Sequence, residues 1–301
     1  MSSPRPIFPG QTYLITRSCT QRQFLLRPDR MTNRIFLYCL ADAAQRYGIR
    51  VLAWVMMSNH YHAVVDDPEG RLPAFLEHFH KFTAKALNAR WGRWENFWSS
   101  EPTCVVRLVT PEDVFDKVVY VLANPVAADI VDRVADWPGA SALPHLDGKP
   151  LSVPRAPVFF RKNGPMPATA GLSIVGPDGV DRNAWVTRVR EALSSRERAV
   201  RERRLQNGIR VVGRKAVRRL SPFGRPSTST PRRNLRPCIA CKDPNRRKTE
   251  LLALQAFRQQ HARARALLTA GDRTVRFPLG SYRWRMFVSA PVATEPALSV
   301  A

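Results

Sequence analysis

Two histidines flank one tyrosine at the start of an apolar run, in the stretch Ser58 to Val65 (Ser-Asn-His-Tyr-His-Ala-Val-Val). Alternate side chains of a β-strand share a face, so a strand here directs His60 and His62 to one side and Tyr61 into the core. The two imidazoles would then lie about 6–7 Å apart along the strand and could bind one divalent metal ion. Two strand-edge histidines with ordinary hydrogen bonds would show the same pattern, so His-x-His alone leaves both interpretations open.

A second group of polar residues is predicted on a helix that begins after Thr110, a suitable N-cap, and ends or kinks at Pro125. At about 100° per residue, this helix has an apolar face and an opposite, polar face. The apolar face comprises Val114, Val118, Val121 and Leu122, and the polar face comprises Asp113, Asp116, Lys117, Tyr120 and Asn124. Tyr120 and Asn124 are one turn apart, so a phenol nucleophile would lie beside an amide oxygen that can bind a hard cation. An exposed helical tyrosine without a catalytic role remains the alternative.

The other patterns predict an α+β fold. Strands are predicted at 11–17, 49–57, 60–65 and 103–109, and helices at 29–47 and 71–90. The order β-α-β-β-α-β is that of a ferredoxin-like, split βαβ sheet, to which the tyrosine helix is added. The histidines can then lie on the sheet face that this last helix approaches.

These residues carry a resemblance to a known family. The block Met57 to His62 (Met-Ser-Asn-His-Tyr-His) is similar to the Met-Pro-Asn-His-Tyr-His of the REP-associated tyrosine transposases, which are HUH single-tyrosine transposases. The block Tyr120 to Val126 (Tyr-Val-Leu-Ala-Asn-Pro-Val) is similar to their Tyr-Ile-His-x-Asn-Pro-Val. The resemblance covers roughly residues 5–143 and ends near an Asp-Trp-Pro element at Asp136. Ser58, Ala123 and a Cys-Thr pair at Cys19 depart from the family pattern, but none of them removes a candidate catalytic group.

The resemblance implies a role for each matching residue. His60 and His62 would be metal ligands, Asn124 would be a further polar ligand, and Tyr120 would attack a DNA phosphodiester. The cofactor would be Mg²⁺ or Mn²⁺, and the substrate would be single-stranded or hairpin DNA from repeated palindromic elements.

The net charge of the whole chain is +24, and it is distributed unequally between the two halves. Residues 1–150 hold 17 Lys and Arg against 15 Asp and Glu, a net charge of +2, whereas the remaining residues hold 31 against 9, a net charge of +22. An excess this local predicts a polyanion partner, and Arg suits bidentate phosphate contacts. A membrane surface is the weaker alternative, because the basic stretch lacks a strong apolar face. The candidate DNA-binding residues are Arg214, Lys215, Arg218, Arg219, Arg232, Arg233, Arg246 and Arg247.

Composition also suggests three regions. Residues 1–143 would be the catalytic domain, the Pro- and Gly-rich residues 144–181 a linker or extended arm, and residues 182–301 a basic, largely helical or extended DNA-binding region. On this division, deletion of residues 209–301 should weaken DNA binding and leave a functional site. The odd number of cysteines, five, favours a cytoplasmic protein, as does the lack of a recognisable secretory leader or membrane span. With DNA as its partner, the protein would be associated with the nucleoid. We expect either a monomer or a homodimer.

The function predicted from the sequence is a metal-dependent strand transferase that cleaves and joins DNA through a covalent 5′-phosphotyrosine. A domesticated hairpin-binding protein without cleavage activity is the main alternative. A metal phosphohydrolase that uses water is a weaker one, because two-histidine phosphoesterases need two His-x-Thr/Ser motifs and this chain has one His-x-His.

Overall fold

A computed structural model describes residues 4–227, 237–282, 286 and 290–294. Its N-terminal region alternates strands and helices in the predicted order. The elements are β1 (Gln11–Ser18), α1 (Arg30–Tyr47), β2 (Arg50–Met56), β3 (His60–Asp67), α2 (Leu72–Trp91), β4 (Cys104–Leu108) and α3 (Pro111–Ala127). Asp29 caps α1 by accepting from the backbone N–H groups of Met31 and Thr32, and left-handed glycines end α1 and α2 at Gly48 and Gly92.

The main sheet has the strand order β2-β3-β1-β4, and neighbouring strands in this set are antiparallel. The register pairs His60 with Ser18 and His62 with Thr16. Between the histidines, Tyr61 is fully buried and packs edge-on against Phe36 of α1 and Phe79 of α2. Helices α1 and α2 therefore cover one face of the sheet, while α3 packs on the other, where the histidines point.

Helix α3 differs from the sequence prediction in two ways. It continues through Pro125 to Ala127, because this proline stands in the last turn and removes only one hydrogen bond close to the helix end. Asp113, which was placed on the polar face, is 3% exposed. Its carboxylate accepts from Thr110 in a capping box and from the backbone N–H of Lys242, so it is held by the helix start and by the C-terminal region.

Residues 144–181 pack against the N-terminal region. They form a separate hairpin of β5 (Leu151–Pro154) and β6 (Thr169–Leu172), which lies on α1. The Tyr38 hydroxyl donates to the carbonyl of Pro167 (2.5 Å), and Arg34 donates to that of Pro154 (2.9 Å). This segment is therefore packed on α1, and its role as a linker or arm between two domains stays a prediction.

The basic region is built from α4 (Arg182–Gln206), α5 (Arg214–Arg219), β7 (Ile239–Ala240) and α6 (Pro244–Thr269). Helix α4 packs on α3, where Trp185 contacts Phe115 (ring centroids 5.6 Å apart). Strand β7 adds to the sheet as a parallel neighbour of β4. The proposed boundaries at 143/144 and 181/182 stay a prediction. Among the described residues, no helix combines the length and apolar character needed to cross a membrane.

Candidate active site

Strand β3 brings His60 and His62 together on the face that α3 covers. Their ring centroids are 4.8 Å apart and the rings are nearly perpendicular. His62 is buried, with 6% of its surface exposed, and His60 is half-buried at the strand end. The alternation of side chains along β3 produces this pair directly, as the sequence predicted.

Each imidazole is oriented through its Nδ1 atom. The Asn59 amide donates from Nδ2 to the carbonyl of Arg22 (3.2 Å), which directs its Oδ1 towards His60 Nδ1 (2.7 Å). Since Oδ1 carries no hydrogen, Nδ1 of neutral His60 is the donor and Nε2 presents a lone pair. His62 Nδ1 lies 2.7 Å from the Thr16 hydroxyl on the neighbouring strand. Partners of this kind fix the rings of metal-binding histidines.

The surroundings keep both rings neutral. Burial, and to a lesser extent the charge of Arg22, lowers the pKa of His60 to about 4. Burial, and then the proximity of His60, holds the pKa of His62 well below its usual value of 6.5. Neutral imidazoles are the form that binds a metal ion, so the pair needs no deprotonation near neutral pH.

Tyr120 of α3 lies against His62, with ring centroids 5.5 Å apart and an edge-to-face arrangement. Its side chain is 44% exposed, while Val118, Val121 and Leu122 around it are buried. The Lys117 ammonium lies 5.6 Å from the tyrosine ring centroid. The phenol is thus accessible from solvent and adjacent both to the histidine pair and to a positive charge.

Asn124 follows one turn later on α3 and is half-buried. No contact places its side chain on the histidines. In the described part of the chain, no three His, Cys, Asp or Glu side chains form a group that could hold a metal ion. The structure therefore brings the two histidines together, and the metal-ligand roles of His60, His62 and Asn124 all stay predictions.

Four of the candidate DNA-binding residues lie on α5, and all four are exposed: Arg214, Lys215, Arg218 and Arg219. We call residues 212–224, which include α5, the basic strap. Its first end is held just beyond α3, where the N–H of Gly213 donates to the carbonyl of Ile130 (2.9 Å). Its second end is held by the loop after β1, where the N–H of Phe24 donates to the carbonyl of Gly224 (2.9 Å).

The loop that holds the second end also contacts the histidine strand, because the N–H of Cys19 donates to the carbonyl of Asn59 (2.8 Å). The strap therefore brings its basic residues to the His60 end of the sheet. Arg246 and Arg247 are also exposed, at the first turn of α6. Arg232 and Arg233 lie outside the described residues.

A cavity of about 420 Å³ lies at the other end of the strands, lined in part by Thr12, Arg50 and Asp66. Arg50 forms ion pairs with Asp66 and Asp178, so its charge is already balanced. This cavity is separate from the histidine–tyrosine group and supplies none of its side chains.

The sequence analysis did not identify three residues that help to orient the histidines: Thr16, Asn59 and Arg22. Asn59 had a signal in the sequence, because it directly precedes His60. Thr16 had none, since its place depends on the register between β1 and β3. The two anchors of the basic strap are likewise contacts between residues far apart in the chain.

Comparison with protein-family models finds no match for this chain, and comparison with curated proteins finds none either. The solved structures that resemble parts of it include two transposases. A REP-associated tyrosine transposase bound to a REP hairpin is 21% identical, with a TM-score of 0.40, over 47% of this chain and 82% of the other. A candidate transposase from Deinococcus radiodurans R1 is 17% identical, with a TM-score of 0.30, over 41% of this chain and 97% of the other.

Proposed function

We propose that this chain is a metal-dependent DNA strand transferase of the HUH single-tyrosine type, which cleaves and joins single-stranded or hairpin DNA through Tyr120. The observation that carries the proposal is the contact of the accessible Tyr120 ring with His62, next to a second neutral histidine. The motif resemblance adds the substrate class. For the fold we infer the split βαβ arrangement, from the element order together with the strand order β2-β3-β1-β4.

The donor set fits a divalent cation. His60 and His62 would hold Mg²⁺ or Mn²⁺ through Nε2, with Asn124 as a further oxygen ligand and the rest of the shell from water or DNA. The bound ion would polarise the scissile phosphate and neutralise charge that develops on it. Thr16 and Asn59 would keep the two rings in place.

Tyr120 supplies the nucleophile. Its hydroxyl loses a proton as the phenolate oxygen forms a bond to phosphorus, and the bond from phosphorus to the 3′ oxygen breaks. The 3′ oxygen takes up a proton and leaves as a free hydroxyl, while the 5′ phosphate stays on the tyrosine as an ester. A second 3′-hydroxyl can reverse these steps and rejoin the DNA without ATP.

The basic strap would hold the backbone of the substrate. The segment that carries its four exposed cations is anchored at the His60 end of the sheet, so the bound strand would pass over these cations on its way to Tyr120. Lys117 would add a positive charge beside the phenol. Their contribution would be counterion release, which is independent of DNA sequence.

A covalent adduct tests the proposal. Wild-type protein incubated with hairpin oligonucleotides and Mg²⁺ should form a protein–DNA adduct that survives denaturing electrophoresis. Tyr120→Phe should form none while it binds the hairpin normally, because only one exposed hydroxyl is lost. Tyr47→Phe removes a hydroxyl on α1 and serves as the matched control. An adduct of wild-type yield in Tyr120→Phe would refute the assignment, and hairpin binding with no adduct in the wild type would support the non-cleaving alternative.

A further inference from the structure

One large apolar side chain is almost completely exposed among the residues that the structure describes. Trp94, in the loop after α2, has 97% of its surface exposed, whereas Leu205, the next most exposed large apolar residue of this set, has 77%. Other tryptophans in the described residues are covered: Trp54, Trp98, Trp137 and Trp185 are buried, and Trp91 is half-buried between Arg27 and Arg90. Trp94 therefore differs from the other described tryptophans in having its indole almost fully exposed to solvent.

The loop that carries Trp94 is held on both sides. Before it, Gly92 ends α2 in the left-handed conformation and the N–H of Arg93 donates to the carbonyl of Asn88 (2.9 Å). After it, the Asn88 amide donates to the carbonyl of Glu95 (2.7 Å), and Phe97 is buried. The exposed indole thus stands on a supported turn, which presents it at low conformational cost.

A short chain of contacts connects this loop to the candidate active site. Arg93 Nη1 donates to the side chain of Gln23 (3.2 Å), and the neighbouring Arg22 accepts from Asn59 through its carbonyl. Asn59 in turn orients His60. The loop that carries the indole and the strand end that carries His60 are therefore connected through the loop after β1.

The segment between them has an unusual backbone. Gln21 and Arg22 both have positive φ, 48° and 57°, a conformation that non-glycine residues seldom adopt. The Arg22 carbonyl is held there by Asn59, and the Arg22 side chain is exposed. Strain of this kind concentrates at functional sites, and here the segment carries a guanidinium whose charge acts on His60.

We propose that Trp94 stacks on one unpaired base of the DNA strand that reaches Tyr120, while Arg22 contacts the intervening phosphate. This inference rests on the proposed function and adds a specificity element to it. An indole face stacks on any base, and a guanidinium suits a backbone phosphate, so the pair selects unpaired strand over duplex. The expected occupant is single-stranded, because each unpaired base offers a face for stacking, whereas the internal bases of a duplex are stacked on both sides.

The test uses the full chain with Tyr120→Phe and Mg²⁺, so that DNA binds without cleavage. The probes are a hairpin with a single-stranded flank on its 5′ side, another with the flank on its 3′ side, and a blunt hairpin. Each flank carries 2-aminopurine at one position at a time, since stacking quenches its fluorescence. Quenching at one or two neighbouring positions of one flank is expected, and adding Trp94→Ala should remove it.

Affinity gives the second readout. Trp94→Ala should bind the flanked hairpin about tenfold more weakly, as expected for the loss of one base stack, and the blunt hairpin unchanged. Trp94→Phe should retain most of the affinity, and Leu252→Ala, which trims an exposed apolar residue on α6, should change nothing. Equal quenching and affinity with and without the indole would overturn the inference, as would an equal loss on blunt DNA. Cleavage by the wild type is scored separately, so stacking without cleavage would refute the proposed function alone.

Discussion

The N-terminal and C-terminal regions of this chain differ in what their polar residues do. In residues 1–143 the distinctive polar side chains are buried or oriented: His62 is held by Thr16, and His60 is held by Asn59. In residues 182–301 the distinctive residues are exposed cations, such as those of α5. The oriented side chains and the excess positive charge therefore lie in different parts of the chain. Under the proposed function, cleavage would depend on the first part and DNA affinity on the second.

The two regions are nevertheless joined in the structure. Val217 of α5 is buried in the core, β7 pairs with β4, and Glu250 of α6 forms an ion pair with Arg107 of β4. Deletion of residues 209–301 would therefore expose the β4 edge as well as remove cations. The expectation that such a truncation leaves the site intact needs revision, and point substitutions separate the two roles better.

The largest effect should come from the histidines. His60→Ala or His62→Ala should each reduce cleavage by about a thousandfold or more, because each would remove a proposed metal ligand. Hairpin affinity should change little, since neither ring is among the exposed cations. Rates of cleavage and binding isotherms measured on the same hairpin check this. Chelation with EDTA should reproduce the loss in the wild type, and cleavage that resists both EDTA and the substitutions would show the pair to be structural.

The basic strap should give the opposite pattern. Replacing Arg214, Lys215, Arg218 and Arg219 together by alanine should weaken hairpin binding by tens-fold at moderate salt and lower the salt slope by about 3. Cleavage at saturating protein should persist. The matched control replaces four exposed arginines of α4, which are Arg190, Arg196, Arg198 and Arg201. The two quadruple variants lose the same charge, so an equal loss in both would mean that net charge, and not the place of the strap, sets affinity.

Acid should destabilise the folded chain through its buried histidines. Burial lowers the pKa of His60 to about 4 and that of His80 also far below 6.5, so the unfolded chain binds protons that the folded chain does not. The free energy of unfolding should fall as the pH drops below about 6.5, by up to about 1.4 kcal/mol per pH unit per histidine. Denaturant unfolding of metal-free protein between pH 7 and pH 4.5 measures the slope, and His80→Asn should flatten it. An unchanged slope in that variant would assign the effect to other groups.

Asn124→Ala should have the smallest effect on cleavage, about tenfold or less. A neutral amide oxygen is a weak ligand that a water molecule can replace. The measurement is the cleavage rate across a range of Mg²⁺ concentrations, and the loss should shrink at high Mg²⁺. A loss as large as that of the histidine variants would make Asn124 an essential residue and would require a different role for it.

Much of the N-terminal fold could be predicted from the sequence, because periodicity and caps act locally. Asp29 and Gly48 mark the ends of α1, and the alternation around Tyr61 identifies β3 and its two faces. The exposed helix face of Tyr120 followed from the same reasoning, and these predictions depend on neighbours within a few residues. The approach of that helix to the histidine face followed from the order of the elements.

The rest depends on contacts between distant residues. Asp113 was wrongly placed on the polar face, because its burial requires the backbone of Lys242. The β5–β6 hairpin was not predicted, since its strands are four residues each within a Pro-rich segment. The anchoring of the basic strap between Ile130 and Phe24 has no local signal at all.

The most direct test of the central claim is to locate the covalent bond. Wild-type protein is incubated with Mg²⁺ and a hairpin oligonucleotide, the DNA is digested to a short remnant, and the protein is mapped by peptide mass spectrometry. The account predicts a nucleotide 5′-phosphate on the peptide that contains Tyr120, together with a free 3′-hydroxyl on the released DNA. An adduct on a different tyrosine, or cleavage that leaves no protein-bound nucleotide, would contradict it.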